Sequence, residues 1–269
     1  MTTDAELANL PEPPRRVIVV GASNVALGID ALIPCCHDYW GSPLDFFLVG
    51  GHGRALRHGS HVLGRVLPPV LQCQIWEELP RQPAKPTAVL VTDIGNDLLY
   101  GASSEEVLEA SKQLVARLTP LADRLVVTGL PLESVSRISP TWYYRFRRWA
   151  FPSSSLEYKQ AIEGAQSIHR GLARFPAQFN CYLMMPMPSW YGLDPVHVKR
   201  RYYLDAWSRF LAPWNDFRTR ESKTSRRQRT SRWRWWMRLK PAERRWRRRD
   251  WSAIQPCHID PRGSRYWVY

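Results

Sequence analysis

Five short apolar runs recur along the chain, each followed by a segment with helical spacing, and this alternation limits the possible folds most. The runs are RVIVV (16–20), LDFFLVG (44–50), TAVLVTDIG (87–95), DRLVVTGLP (123–131) and FNCYLMM (179–185). Short runs rich in β-branched residues, apolar without a polar alternate, read as strands buried on both faces. Between them, residues 24–33 predict a helix that ends before Pro34, and Arg54 to Leu67 reads as partly helical. In residues 103–118, Val107, Leu108, Ser111, Leu114, Val115 and Leu118 share one helix face, with Ser103 or Ser104 as the cap. A further helix is predicted from Ser154 to Arg174, with Tyr158, Ala161, Ile162, Ala165, Ile168 and Leu172 on one side, and a last one from Val196 to Leu211. Strands alternating with amphipathic helices predict an α/β fold, a three-layer α/β/α sandwich around a five-stranded parallel sheet of flavodoxin-like type.

In such sheets the chemistry collects beyond the carboxyl ends of the strands. Ser23 follows the first strand, Gly50, Gly51 and Gly53 follow the second, Gly95-Asn96-Asp97 follows the third, and Asp194 and His197 follow the fifth. These are residue types that acyl transfer needs. A serine needs a base, and His197 can take its proton. The imidazole needs an acceptor on its other nitrogen, and Asp194, three residues away, can share one turn with it. A tetrahedral oxyanion needs donors, which a glycine N–H, an Asn amide or the Ser23 N–H can supply. Each residue also has an ordinary structural reading. Ser23 can cap a helix, Asn96 can form a turn, and Asp194 can cap the last helix with Pro195 at its first position. A dinucleotide loop at Gly21 does not fit, because Ser23 stands where the second glycine is needed.

Gly21-Ala22-Ser23-Asn24, Gly53, Gly95-Asn96-Asp97 and Asp194-Pro195-Val196-His197 resemble, in order, the four sequence blocks of the SGNH/GDSL hydrolases. The resemblance spans roughly residues 15–212. It implies an esterase with Ser23 as nucleophile, His197 as base, Asp194 as its partner, and Gly53 and Asn96 as oxyanion-hole donors, with no cofactor and no metal. The substrate implied is a carboxylic ester or O-acyl group of a small molecule, lipid or glycan. Gly53 is preferred to Gly51 because the polar Arg54 follows it. The first block departs from the family pattern: Ala22 stands in place of the usual Asp, and Asn24 in place of the usual Leu. Ala22 cannot make the hydrogen bonds of that aspartate.

Around these blocks the chain divides into a leader (1–14), an α/β domain (15–212) and a basic, Trp-rich extension (213–269). The net charge of +14 comes mostly from the extension, which holds 17 Lys and Arg against 5 Asp and Glu. The domain is close to neutral, so no nucleic-acid partner is expected for it. Arg interleaved with Trp in the extension suits contact with an anionic surface, and a non-catalytic module docking on lipid or RNA through it is the rival reading. The end, QPCHIDPRGSRYWVY, reads as a small hairpin, which favours an extension packed on the domain. The segment 134–153 is rich in aromatics after the fourth strand. Trp142 and Tyr143 there, with Trp190 and Tyr191, are expected at a substrate pocket; a peripheral helix is the alternative. His52, His58 and His61 cluster loosely, without a convincing fourth metal ligand. Acids and prolines stand near the N-terminus where a secretory signal would be apolar. Five scattered cysteines lack zinc spacing, and together these features predict a cytoplasmic protein.

Overall fold

A computed structural model describes residues 12–62, 65–215, 231–246 and 249–269. Strand β1 (Arg15–Val20) leads into a short helix α1 (Ser23–Leu27) and then α2 (Ile29–Trp40). Strand β2 (Leu44–Val49) follows, then β3 (Ser60–Val62), β4 (Arg65–Leu67) and a helical turn α3 (Ile75–Glu78). Strand β5 (Thr87–Val91) precedes α4 (Asn96–Leu99) and α5 (Ser104–Leu118). Strand β6 (Arg124–Thr128) precedes α6 (Leu132–Ser136), α7 (Pro140–Ala150), α8 (Tyr158–Leu172) and α9 (Phe175–Phe179). Then come β7 (Tyr182–Met184), α10 (Tyr203–Phe210) and α11 (Arg232–Arg238). The chain closes with β8 (Glu243–Trp246), β9 (Arg249–Ser252), β10 (His258–Ile259) and β11 (Arg265–Val268).

The main sheet has the order β10-β11-β2-β1-β5-β6-β7. All neighbours in it are parallel except β10 and β11. The side on which successive strands are added switches between β1 and β5, which leaves a crevice at their carboxyl ends. Alternate residues of the strands feed two cores. Ile18, Val20, Phe47, Val89 and Val91 face α5 and α8, whereas Val17, Val19, Phe46, Ala88 and Leu90 face α2 and α10. This is the α/β/α sandwich that the alternation of strands and helices predicts.

The expected five strands become seven, because the extension supplies β10 and β11. Its terminal hairpin pairs His258 with Tyr266, and β11 lies parallel to β2. Tyr266 stacks on Phe46 with ring centroids 4.8 Å apart, and Trp267 stacks on Phe47 at 4.6 Å. Below them, the buried Asp45 carboxylate accepts Arg265 Nε at 2.7 Å and Lys85 Nζ at 2.7 Å. Trp214 and Trp235 are also buried, whereas Trp233, Trp236 and Trp251 are exposed.

Three helix expectations need correction. The helix predicted from Val196 begins at Tyr203, because the Asp194 carboxylate holds the Val196 and His197 N–H groups in a non-helical turn. Pro34 lies inside α2 instead of ending it. A proline within a helix costs about 3 kcal/mol. The half-helix beyond it buries Cys35, Cys36, Tyr39 and Trp40, and each large side chain buried returns about 1.5–3 kcal/mol. The described residues of 54–67 are not helical. The Asp97 carboxylate draws the Leu56 and Arg57 N–H groups at 2.7 and 2.9 Å, holding that stretch in a loop. The chain then forms the β3–β4 hairpin, which joins β8 and β9 in a second, antiparallel sheet. Its partner strands lie some 180 residues further along, so local periodicity does not reveal it.

Candidate active site

Ser23 stands at the first turn out of β1. The turn is tight: a Cβ on Gly21 would lie 2.6 Å from Val25 and 2.7 Å from Thr92. His197 Nε2 lies 2.7 Å from Ser23 Oγ, and His197 Nδ1 lies 2.6 Å from Asp194 Oδ2. The other Asp194 oxygen accepts the N–H groups of Val196 and His197, both at 3.1 Å. Asp194 therefore both caps the turn and orients the ring, and Pro195 fits the sharp bend between them.

The electrostatics set the tautomer. Burial works against a charged Asp194, but the His197 hydrogen bond and charge, with the two N–H donors, outweigh it and lower its pKa. A carboxylate accepts only, so His197 Nδ1 donates to it and Nε2 is left to accept the Ser23 proton. Burial likewise disfavours the imidazolium. The hydrogen bond and charge of Asp194, with the charge of Asp93, prevail and raise the His197 pKa above its ordinary 6.5.

Ser23, Gly53, Asn96 and His197 all open on one cavity of about 530 Å³. Gly53 lines it and Gly51 does not; the Gly51 N–H donates to Ala22 O at 3.2 Å. Gly53 has φ +68°, a left-handed conformation suited to glycine. Its carbonyl accepts the Tyr100 hydroxyl at 2.8 Å. Asn96 Nδ2 donates to Arg54 O at 2.8 Å, tying the two loops together with one amide hydrogen to spare. Asp97 fixes the far end of the same loop through Leu56, Arg57 and His58 Nδ1, the last at 3.0 Å. Arg54, buried, donates through Nη1 to Tyr269 O at 2.6 Å, so the end of the extension backs the Gly53 loop.

The four expected pocket aromatics divide evenly. Tyr143 and Tyr191 line the cavity. Trp142 does not; it lies on the outer face of α7, 46% exposed. Trp190 does not either. It is buried in the core, where its Nε1 donates to Asp205 Oδ2 at 2.7 Å and its ring packs on Phe210. The α7 helix nevertheless walls the cavity with Tyr143, Phe146 and Trp149. Of the three histidines, His58 is held by Asp97, His52 lies against Trp236 with centroids 5.7 Å apart, and His61 reaches the cavity.

What positions Ser23 in place of the missing Asp is Asp93. Its Oδ2 accepts the N–H groups of Ala22 at 2.8 Å and Asn24 at 3.0 Å, and its Oδ1 accepts Asn24 Nδ2 at 2.8 Å. Asn24, buried, also donates to Val196 O at 3.0 Å and accepts Val198 N–H and Tyr203 OH at 3.0 Å each. Both residues that flank Ser23 are thus bonded to the β5 loop, and Asn24 is bonded also to the loop that carries His197. Position 93, directly beyond a strand end, is the one signal in the sequence that could point to this carboxylate.

No protein-family model matches the sequence, and no curated protein matches it either. Solved structures do share its fold. A carbohydrate acetylesterase family member from Sinorhizobium meliloti superposes with a TM-score of 0.51 and 15% identity, covering 74% of this chain and 96% of the other. A putative arylesterase from Agrobacterium tumefaciens gives a TM-score of 0.50 and 12% identity, covering 76% and 99%. The chain has the α/β/α fold of these esterases, in line with the SGNH/GDSL resemblance of its sequence blocks. Among the described residues, no helix is long and apolar enough to cross a membrane.

Proposed function

We propose that this chain is a serine hydrolase of the SGNH type that cleaves a carboxylic ester or O-acyl group. The observation that carries this reading is the continuous relay from Ser23 Oγ through His197 to Asp194, with contacts of 2.7 and 2.6 Å, opening on a cavity. A helix cap has no need of an imidazole on its hydroxyl.

Ser23 Oγ attacks the acyl carbonyl carbon while His197 Nε2 takes its proton. The negative charge that develops on the carbonyl oxygen is met by N–H donors, and the candidates are Gly53, the Asn96 amide and the Ser23 backbone, from residues that all line the cavity. The carbon–oxygen bond to the alcohol breaks, and His197 returns its proton to the departing alkoxide. Water then enters, loses a proton to the same Nε2, and attacks the acyl-enzyme; the acid leaves and Ser23 recovers its hydrogen. Asp194 keeps the ring oriented and stabilises the imidazolium in both halves.

The test is hydrolysis of p-nitrophenyl esters together with labelling by a fluorophosphonate. The wild-type protein is expected to do both, and folded Ser23→Ala neither. Turnover retained in folded Ser23→Ala would reject the nucleophile. A wild-type protein that neither turns over nor labels would favour a non-catalytic binding module.

A further inference from the structure

The cavity beside Ser23 is larger than the reacting group requires, and its chemistry is uneven. Its polar side chains cluster on the elements around the serine and on the β2–β3 side, where His52 and His61 lie. Beyond Asn96, the walls supplied by α4, the β6 loop and α6–α8 are mostly apolar, with Leu98, Leu99, Leu130, Phe146, Phe151 and Leu156 among them. Ala161 and Ala165 of α8 leave the space open on one side. Apart from Asn96, the polar side-chain atoms of these walls are engaged within the protein. The Tyr143 hydroxyl donates to Leu156 O at 2.8 Å, and Thr128 Oγ1 donates to Thr92 Oγ1 at 2.9 Å.

Resting on the hydrolase reading, we infer that this chamber receives the acyl chain of the substrate, an unbranched aliphatic chain well beyond acetyl. An acetyl group would leave most of about 530 Å³ unfilled. A sugar would bring hydroxyls to walls that offer them no partner, which is costly. The chain belongs to the acyl side for a geometric reason. The departing alkoxide takes its proton from His197 and so sits beside the imidazole. The apolar walls of Leu99, Leu130, Phe146 and Phe151 follow β5 and β6, the side of the sheet that carries Asn96, whereas the part of the cavity beyond the imidazole is bounded by Tyr191, Pro195, Val198 and Tyr203.

Two measurements test this separately from the hydrolase reading. The first is kcat/KM on p-nitrophenyl acetate, butyrate, hexanoate, octanoate and decanoate below their micelle-forming concentrations. It is expected to rise about fourfold per methylene until the chamber is full, the ~0.8 kcal/mol of a buried methylene converted at 1.4 kcal/mol per tenfold. The second is calorimetric binding of decanoate to full-length Ser23→Ala, which needs no turnover. Ala161→Phe, and independently Leu99→Trp, in that background are each expected to weaken decanoate binding about tenfold or more, equivalent to ~1.4 kcal/mol; the melting curve of each variant identifies one that has not folded. A preference for acetate, or no decanoate binding to folded Ser23→Ala, would overturn the inference. A rate that follows the length of the alcohol instead of the acyl chain would overturn it too. Decanoate binding that both variants weaken, in a protein without esterase activity, would keep the chamber and reject the hydrolase.

Discussion

Asp93→Ala removes the acceptor for three donors at once: the main-chain N–H groups on either side of Ser23 and the Asn24 amide. Hydrogen bonds to charged groups are worth about 1.5–3 kcal/mol each, so the nominal loss is large. Asp93 is only half-buried, and water entering the gap would replace part of it. A net destabilisation of about 2–4 kcal/mol is expected. The effect on rate comes from geometry. With both flanking N–H groups released, Ser23 loses its fixed distance to His197, and a misplacement near 1 Å costs about 10²-fold. The expected result is a kcat lower by about 10–10²-fold with KM little changed.

Asp93→Asn separates positioning from charge. Asp93 sits at φ +58°, a conformation that Asn tolerates well, so the backbone survives. One amide oxygen can still accept, but the amide nitrogen must then face a donor. Its charge is also gone, and that charge helps to raise the His197 pKa. The acid limb of the kcat/KM profile is therefore expected to move to lower pH in Asp93→Asn, a change that loss of stability alone would not produce. Steady-state kinetics over pH, with a thermal melt of each variant, would decide. If Asp93→Ala lowered the melting temperature but left kcat and the pH profile untouched, Asp93 would be a loop fastener and nothing more.

Three further outcomes are expected. Asn96→Ala should lower kcat by about 10²–10³-fold with KM little changed, as for loss of one oxyanion donor; a change confined to KM would make Asn96 a substrate contact. The wild-type rate should fall as His197 protonates, along an acid limb centred above the ordinary 6.5 because the folded pKa is raised. The same shift means that the charged His197–Asp194 pair supports the fold below that ordinary value and loses its contribution as pH rises through the folded one; Asp194→Asn should move the limb down. Trp267→Ala should destabilise the protein by about 3–5 kcal/mol in a chemical melt, because the ring stacks on Phe47 in the core; a small effect would mean that the extension is dispensable.

The strands and the four blocks are legible in the sequence because each depends on neighbours a few residues away. A buried parallel strand announces itself by a short unbroken apolar run such as Val17-Ile18-Val19-Val20. Asp194 and His197 announce themselves by fitting one turn. The helical reading of residues 54–67 fails for the opposite reason. That stretch is shaped by Asp97, some forty residues on, and by β8, far beyond it. Pro34 misleads because the local rule is outweighed by a core that only the full fold assembles. The same division separates Trp142 from Tyr143. Both lie on one short aromatic helix, and which of them meets the cavity depends on how α7 docks against Leu156 and Tyr158.

The departure in the first block follows the same logic and gives it a functional edge. With alanine before the serine and asparagine after it, the turn cannot position its own hydroxyl. The carboxylate comes from the β5 loop, two residues before the Gly-Asn-Asp block, and Asn24 carries the connection on to Val196, Val198 and Tyr203. Positioning thus moves from a side chain adjacent in sequence to a carboxylate that reaches the turn across the sheet crevice. One consequence is coupling. Asp93 touches the Ser23 turn directly and the His197 loop through Asn24, so a change at either residue should disturb both ends of the relay. Asp93→Ala and Asn24→Leu are therefore expected to be far from additive: the double variant should lose little more kcat than the worse single one. Full additivity of the two losses would mean that Asp93 and Asn24 hold their loops independently, and that no shared network sets the distance between Ser23 and His197.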